Sequence, residues 1–177
     1  MAIRRRIRDL ELVDALDRLE RTSFDGNAWR VVSDGRDPID PSRAGGRWDL
    51  GSTDVLYTSL ERDGAIAELA YYMSLLPIKP SRKKYACHEL RVKLSSVICV
   101  PTIAELVDLG VDMKRYYERL YERTAEIGDA AAFLGCNGLI IPSARSTALN
   151  LVIFIESIAV SDLAATGTSI PIDLARL

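Results

Sequence analysis

The sequence predicts an α+β domain with a mixed, mainly antiparallel sheet and flanking helices. Its 177 residues fit one domain, and 48% hydrophobic residues are enough to build a core at this size. Short apolar strands come in groups with helices interposed irregularly, which is typical of this fold class. The glycine-rich pieces match neither a P-loop nor the dinucleotide-binding fingerprint, so a conventional nucleotide fold has no support.

The sequence of the first third of the chain predicts one helix and a long loop that contains one short strand. Leucines recur at helical spacing in residues 9–22, which predicts an amphipathic helix. Residues 23–51 are rich in Asp, Gly, Pro and Ser, and only residues 29–32 have a strand pattern among them. Loops this long are usually functional or disordered, and the two tryptophans in this one argue against disorder.

The middle of the chain alternates strands and helices. Residues 55–58 predict a short strand, and a helix follows that opens at residue 63 or 64 and is ended by Pro77. Two separate strands are then expected over residues 85–94 and 96–100.

Two further helices and two strands complete the predicted fold. Thr102 and Glu105 form a capping box for a short helix, and a longer helix is expected from about residue 113 to 134, with Gly128 as the place where it could break. The most apolar strands are residues 138–142 and 149–155. The tail beyond residue 161 is weakly patterned.

Composition excludes several classes of protein. The 23 basic and 25 acidic side chains leave a net charge of −2, which argues against a nucleic-acid-binding protein because phosphate affinity comes chiefly from excess Lys and Arg. No apolar run is long enough to span a bilayer, and no signal peptide is visible. Three widely spaced cysteines suggest a reduced, cytoplasmic protein. The single histidine, His88, excludes a multi-histidine metal centre, so no metal is expected.

Four short motifs carry chemically useful residues. They are Trp29-Arg30, then Gly45-Gly46-Arg47-Trp48, then the strand with Tyr57 followed by Glu68, and last Pro142-Ser143 with Asn150 seven residues after the serine. In this order they resemble the RES domain, a family of bacterial toxins that consume NAD⁺ and have a fold related to ADP-ribosyltransferases. The resemblance covers roughly residues 29–160. It divides the chain into a helical N-terminal extension (1–27), the RES domain (28–160) and a C-terminal tail packed on or trailing the domain (161–177).

The resemblance implies a role for each motif residue. Glu68 is expected to be the principal catalytic carboxylate, with Arg47 and Tyr57 also in the catalytic set. Arg30 and Arg47 would bind NAD⁺ phosphates and ribose, and Tyr57 would pack on nicotinamide. Ser143 would hydrogen-bond to the substrate or to an arginine. The expected binding set is Arg30, Gly46, Arg47, Tyr57, Ser143 and Asn150.

The residue types agree with that chemistry. Loss of nicotinamide from NAD⁺ passes through an oxocarbenium-like state, which a nearby carboxylate stabilises. Arginine suits pyrophosphate because it is planar, charged and bidentate, and glycines such as Gly46 let the backbone approach a phosphate closely. Taken singly, each residue also has an ordinary structural explanation. Arg30 fits a surface strand, Tyr57 fits a core, and Glu68 fits a solvated helix face.

Several alternatives stay open at this point. NAD⁺ is expected as a substrate, with no cofactor, and the acceptor of ADP-ribose could be water, phosphate or a protein side chain. The resemblance implies a cognate helix-turn-helix antitoxin that blocks the pocket. No direct nucleic acid or membrane partner is expected, and the chain could form a homo-oligomer. A chain of this fold could also be a non-catalytic module that binds a partner through its tyrosine-rich helix near residue 116 and its basic N-terminus (Arg4, Arg5, Arg6 and Arg8).

Overall fold

The computed structural model describes residues 7–42, 45–78, 80 and 82–177. Arg4, Arg5, Arg6 and Arg43 lie outside the described residues. The strands are β1 (Arg21–Ser33), β2 (Val55–Ser59), β3 (Tyr85–Cys99), β4 (Gly138–Pro142), β5 (Leu149–Phe154) and β6 (Leu163–Ile172). The helices are α1 (Leu10–Asp17), α2 (Arg62–Ser74), α3 (Ile103–Asp108), α4 (Met113–Tyr116) and α5 (Glu122–Phe133), with 3₁₀ turns at Ile155–Ser157, Val160–Asp162 and Leu174–Arg176.

The strands form one six-stranded sheet in the order β1-β2-β5-β4-β3-β6. The pairing of β3 with β4 is parallel and the other pairings are antiparallel. The prediction of an α+β fold with a mixed, mainly antiparallel sheet is therefore confirmed. Because β1 also pairs with β3, five strands close into a ring, and β6 lies outside it against β3.

Two apolar cores lie on opposite faces of the strands, as their period-two alternation requires. The first is inside the ring and contains Leu56 of β2 and Leu151 of β5. The second lies between the outer face and the helices, where Val55 and Val152 pack with Leu16 of α1. Both cores are continuous with the fully buried residues of the long strand β3.

The first strand is much longer than its predicted seed. Residues 21–28, expected to be helix and loop, belong to β1, and α1 ends at Asp17. The Asp25-Gly26 pair, which is typical of a turn, instead lies opposite β3, where Asp25 pairs with Lys93 and its carboxylate forms an ion pair with Arg91. Long-range pairing therefore overrides the local turn preference.

The two predicted strands in residues 85–100 are one strand, β3. The expected break at Ser95 is a local irregularity in the pairing with β1. Asn137 spans it, because its Oδ1 accepts the backbone N–H groups of Ser95 (3.0 Å) and Ser96 (2.9 Å). A side chain thus supplies the acceptor that the neighbouring strand does not, and the strand continues.

The helix predicted over residues 113–134 is interrupted, but not at Gly128. The interruption is the loop of residues 117–121 between α4 and α5, whereas Gly128 lies inside α5. A Cβ at Gly128 would be 1.8 Å from the carbonyl oxygen of Trp48, so only glycine allows α5 to approach the backbone of the Gly-Arg-Trp segment. The helix with the Thr102–Glu105 capping box is present as predicted.

The proposed division of the chain at residues 27/28 and 160/161 stays a prediction. In the structure the first boundary falls within β1, and most of the C-terminal tail is β6, which pairs with β3.

Candidate active site

A cavity with a volume of about 610 Å³ opens between β1, β2, α2 and the loop that joins α4 to α5. Its size falls in the range of small-molecule sites. Six of the seven expected site residues line it, namely Arg30, Gly46, Arg47, Tyr57, Glu68 and Asn150. Ser143 is in the wall of a neighbouring cavity and reaches the first one only through its bond to Glu68.

The carboxylate of Glu68 is held from one side. Its Oε1 accepts hydrogen bonds from the Ser143 hydroxyl (2.9 Å) and from Nδ2 of Asn150 (3.2 Å). No other donor within the described residues is bonded to this carboxylate, so Oε2 has its hydrogen-bonding capacity unused there. The Ser143 oxygen also accepts the backbone N–H of Arg145 at 3.0 Å. Its expected hydrogen bond to the substrate or to an arginine stays a prediction.

Strand pairing explains why Asn150 reaches the cavity. Asn150 of β5 lies opposite Ser59 of β2, and Tyr57 is two residues earlier on the same face. The Oδ1 of Asn150 is buried and has no hydrogen-bond partner in the described part of the chain. A buried acceptor without a partner is costly. Because Asn150 lines the cavity, a ligand N–H or O–H group that reached this oxygen would supply the missing hydrogen bond.

The Gly-Gly-Arg-Trp segment is organised by Asp49, a residue that sequence reasoning missed. Its buried carboxylate accepts the backbone N–H groups of Gly45, Gly46 and Gly51, each at 2.8 Å, and the hydroxyl of Tyr57 at 2.9 Å. The sequence did contain a signal for this role, because Asp49 lies close to three glycines and Asp commonly accepts nearby backbone N–H groups in turns.

Tyr57 is tied to this same segment. Its hydroxyl donates to Asp49 and accepts the backbone N–H of Trp48 at 3.0 Å. Burial raises the pKa of this phenol well above its ordinary value, so it stays protonated. A Cβ on Gly46 would be 2.4 Å from the Tyr57 oxygen, and Gly46 must therefore be glycine. Its absent side chain leaves room for the tyrosine.

Arg47 is bound to the loop between α4 and α5. Its Nη1 donates to the carbonyl oxygen of Tyr116 and its Nη2 to that of Glu118 (3.4 Å). The guanidinium also lies over the rings of Tyr116 and Tyr121, with 5.0 and 4.6 Å from Cζ to the ring centroids. Burial lowers the pKa of Arg47, although the two tyrosines act in the opposite direction.

Arg30 is buried and holds the loop that follows β1. Its Nη1 donates to the carbonyl oxygens of Pro38 (2.7 Å) and Asp40, and its Nη2 to the Ser42 hydroxyl (3.4 Å). Burial lowers the pKa of this guanidinium to about 10, so it remains charged at neutral pH. The structure thus gives Arg30 a loop-holding role in addition to its place in the cavity wall.

Sequence reasoning also missed residues of the cavity that come from distant segments. Arg119 and Tyr121 lie in the loop between α4 and α5, Tyr71 is on α2, and Arg145 follows β4. The guanidinium of Arg145 stacks on Tyr71, with Cζ 3.3 Å from the ring centroid, and donates to the Tyr117 carbonyl oxygen at 2.7 Å. No local pattern distinguishes these residues from ordinary surface residues.

The described residues contain neither a metal-binding cluster nor a membrane-spanning helix. Among them, no group of three or more His, Cys, Asp and Glu side chains is placed to hold a metal ion. None of the helices in these ranges has the length and apolar character needed to cross a membrane.

Comparison with known proteins relates most of the chain to one family. The model of the RES domain family matches residues 15–173. The fold is similar to that in the crystal structure of the M. tuberculosis MbcT–MbcA toxin–antitoxin complex, with a TM-score of 0.80, 18% sequence identity and 95% of each chain covered. A comparison with curated proteins finds no match to this sequence.

Proposed function

The chain belongs to the RES domain family, and on that premise we propose that it is a toxin that cleaves the nicotinamide–ribose bond of NAD⁺. The proposal assigns NAD⁺ to the 610 Å³ cavity as a substrate. Glu68 is its principal catalytic residue, and no metal takes part.

The placement of Glu68 is the observation that carries this proposal. Its carboxylate lines a cavity whose other charged lining groups, among the described residues, are the cations Arg30, Arg36, Arg47, Lys83, Arg119 and Arg145. Such a site suits a ligand that is anionic at one end and develops positive charge at the other. NAD⁺ fits, because its pyrophosphate is anionic and its ribose becomes oxocarbenium-like as nicotinamide leaves.

Each side of the cavity has a part in this reaction. The bonds from Ser143 and Asn150 fix Oε1 of Glu68 and direct the carboxylate, so that its charge is preorganised for the transition state. The Oδ1 of Asn150, which has no partner among the described residues, accepts a hydrogen bond from a hydroxyl or amide group of the substrate. Tyr57 offers a ring face to nicotinamide while its hydroxyl keeps the Gly-Gly-Arg segment in place.

An antitoxin partner is the second part of the proposal. The similar M. tuberculosis structure is described as a toxin–antitoxin complex. Together with the family membership, this supports a cognate antitoxin for this chain. We propose that the antitoxin carries a helix-turn-helix domain and blocks the cavity.

The direct test is to incubate the purified protein with NAD⁺ and to measure free nicotinamide by chromatography. We expect release by the wild type and a loss of turnover on the order of 100-fold or more in Glu68→Gln. Glu61→Gln is the matched control, because Glu61 immediately precedes the same helix and does not line the cavity. No release by the folded wild type, or equal turnover in Glu68→Gln, would contradict the proposal.

The products distinguish the alternatives on the same scaffold. Water as acceptor yields ADP-ribose, phosphate yields its phosphorylated form, and a protein acceptor yields a labelled protein when radiolabelled NAD⁺ is used. A non-catalytic module would release no nicotinamide with any acceptor.

A further inference from the structure

Four arginines of the cavity wall already have main-chain partners. Nη1 of Arg30 donates to two carbonyl oxygens and Arg47 donates to two more. Arg36 donates to the carbonyl oxygen of Pro41 (2.7 Å) and Arg145 to that of Tyr117. Their charges add to the potential of the cavity, but each uses N–H groups that a bidentate contact with phosphate would need.

Arg119 differs from these four. It lines the same cavity, and within the described ranges its guanidinium has neither a hydrogen bond nor an ion pair. A guanidinium presents five N–H donors in a planar fork. Arg119 therefore brings the full fork of an arginine to the cavity.

The loop that carries Arg119 is fixed to the site. The carbonyl oxygens of the three preceding residues accept bonds from site arginines: Tyr116 and Glu118 from Arg47, and Tyr117 from Arg145. Two residues after Arg119 along the chain, the ring of Tyr121 lies against the guanidinium of Arg47. The chain before Arg119 is thus held through its carbonyl oxygens, and the chain after it through the side chain of Tyr121, by arginines that themselves line the cavity.

From these observations we propose that Arg119 binds the phosphate groups of the dinucleotide. Arg30 and Arg47, expected from the sequence to do so, chiefly hold the loops of the wall and contribute long-range charge. The inference rests on the proposed function in that it takes a dinucleotide as the ligand. It adds a binding residue outside the motifs that carry the family resemblance.

Binding of ADP-ribose, measured by isothermal titration calorimetry, tests this without turnover. We expect Arg119→Gln to weaken binding on the order of tenfold or more, as for the loss of a charge-assisted bond. Arg119→Lys keeps the charge and loses the planar fork, so its affinity for ADP-ribose should lie between that of the wild type and that of Arg119→Gln. Arg115→Gln is the matched control, since Arg115 lies on α4, pairs with Glu122 (3.4 Å) and does not line the cavity.

A second ligand separates phosphate binding from a general effect on the site. Nicotinamide riboside has no phosphate, so Arg119→Gln should bind it as the wild type does. The inference fails if Arg119→Gln binds ADP-ribose normally, if Arg115→Gln weakens binding equally, or if nicotinamide riboside is affected as strongly. If the folded wild type binds neither NAD⁺ nor ADP-ribose, the proposed function fails as well, which is a distinguishable result.

Discussion

Replacing Asp49 by alanine tests whether one buried carboxylate holds the Gly-Gly-Arg-Trp segment. The substitution removes the acceptor for three backbone N–H groups and for the Tyr57 hydroxyl. Gly45 and Gly51 are exposed, so water replaces the lost acceptor there at little cost. Gly46 and Tyr57 are only partly accessible, and their donors are left without a partner.

The expected loss of stability follows from those two less accessible donors. Each of these two donors left unsatisfied costs about 1–3 kcal/mol, so Asp49→Ala should lower the free energy of unfolding by about 2–6 kcal/mol. Asp49→Asn keeps one acceptor oxygen and should cost about half as much. For a chain of this length, each kcal/mol corresponds to a fall of about 2–4 °C in Tm.

Urea denaturation followed by circular dichroism gives these free energies. Asp54→Ala is the control, since Asp54 is an exposed carboxylate near the same segment, and we expect a change within about 0.5 kcal/mol. A loss below about 0.5 kcal/mol in Asp49→Ala would refute the reasoning, because it would mean that the four bonds do not hold the segment.

Three further outcomes are expected. Gly128→Ala places a methyl group against the Trp48 carbonyl oxygen and should lower stability by about 1–3 kcal/mol or more in urea denaturation; an unchanged Tm would contradict the close approach of α5. Thr102→Ala removes the capping box of α3 and should cost about 1 kcal/mol by the same measurement; Thr102→Ser, which keeps the hydroxyl, should cost much less. In the native protein a thiol reagent at pH 8 should label the exposed Cys99 first, because the other two cysteines are buried and burial raises the pKa of the Cys87 thiol to about 11; a fast phase that persists in Cys99→Ser would contradict this.

Local signals in the sequence were sufficient where the structure is local. The Thr102–Glu105 capping box and the strands near residues 55 and 138 depend on neighbouring residues, and each is present as predicted. The extent of β1 depends instead on pairing with residues of β3 that lie more than 50 positions away, and Gly128 is explained only by the Trp48 backbone. Such contacts leave no trace in a short window of sequence.

The candidate site divides in the same way. The order of the motifs was enough to predict six residues that line one cavity. Most hydrogen bonds of the Arg30 and Arg47 guanidinium groups go to main-chain carbonyl oxygens. Any residue type provides such an oxygen, so no sequence pattern could reveal these bonds. The roles of these residues toward NAD⁺ stay predictions.

The bonds to Glu68 also determine when the site can exist during synthesis of the chain. Asn150, one of the two residues that fix its carboxylate, lies 82 positions later in the sequence. At about 5–20 residues per second, a ribosome needs on the order of 4–16 s to cover that interval. A nascent chain that has completed α2 but not β5 therefore carries the carboxylate without Asn150, and the site is assembled only after β5 has been synthesised.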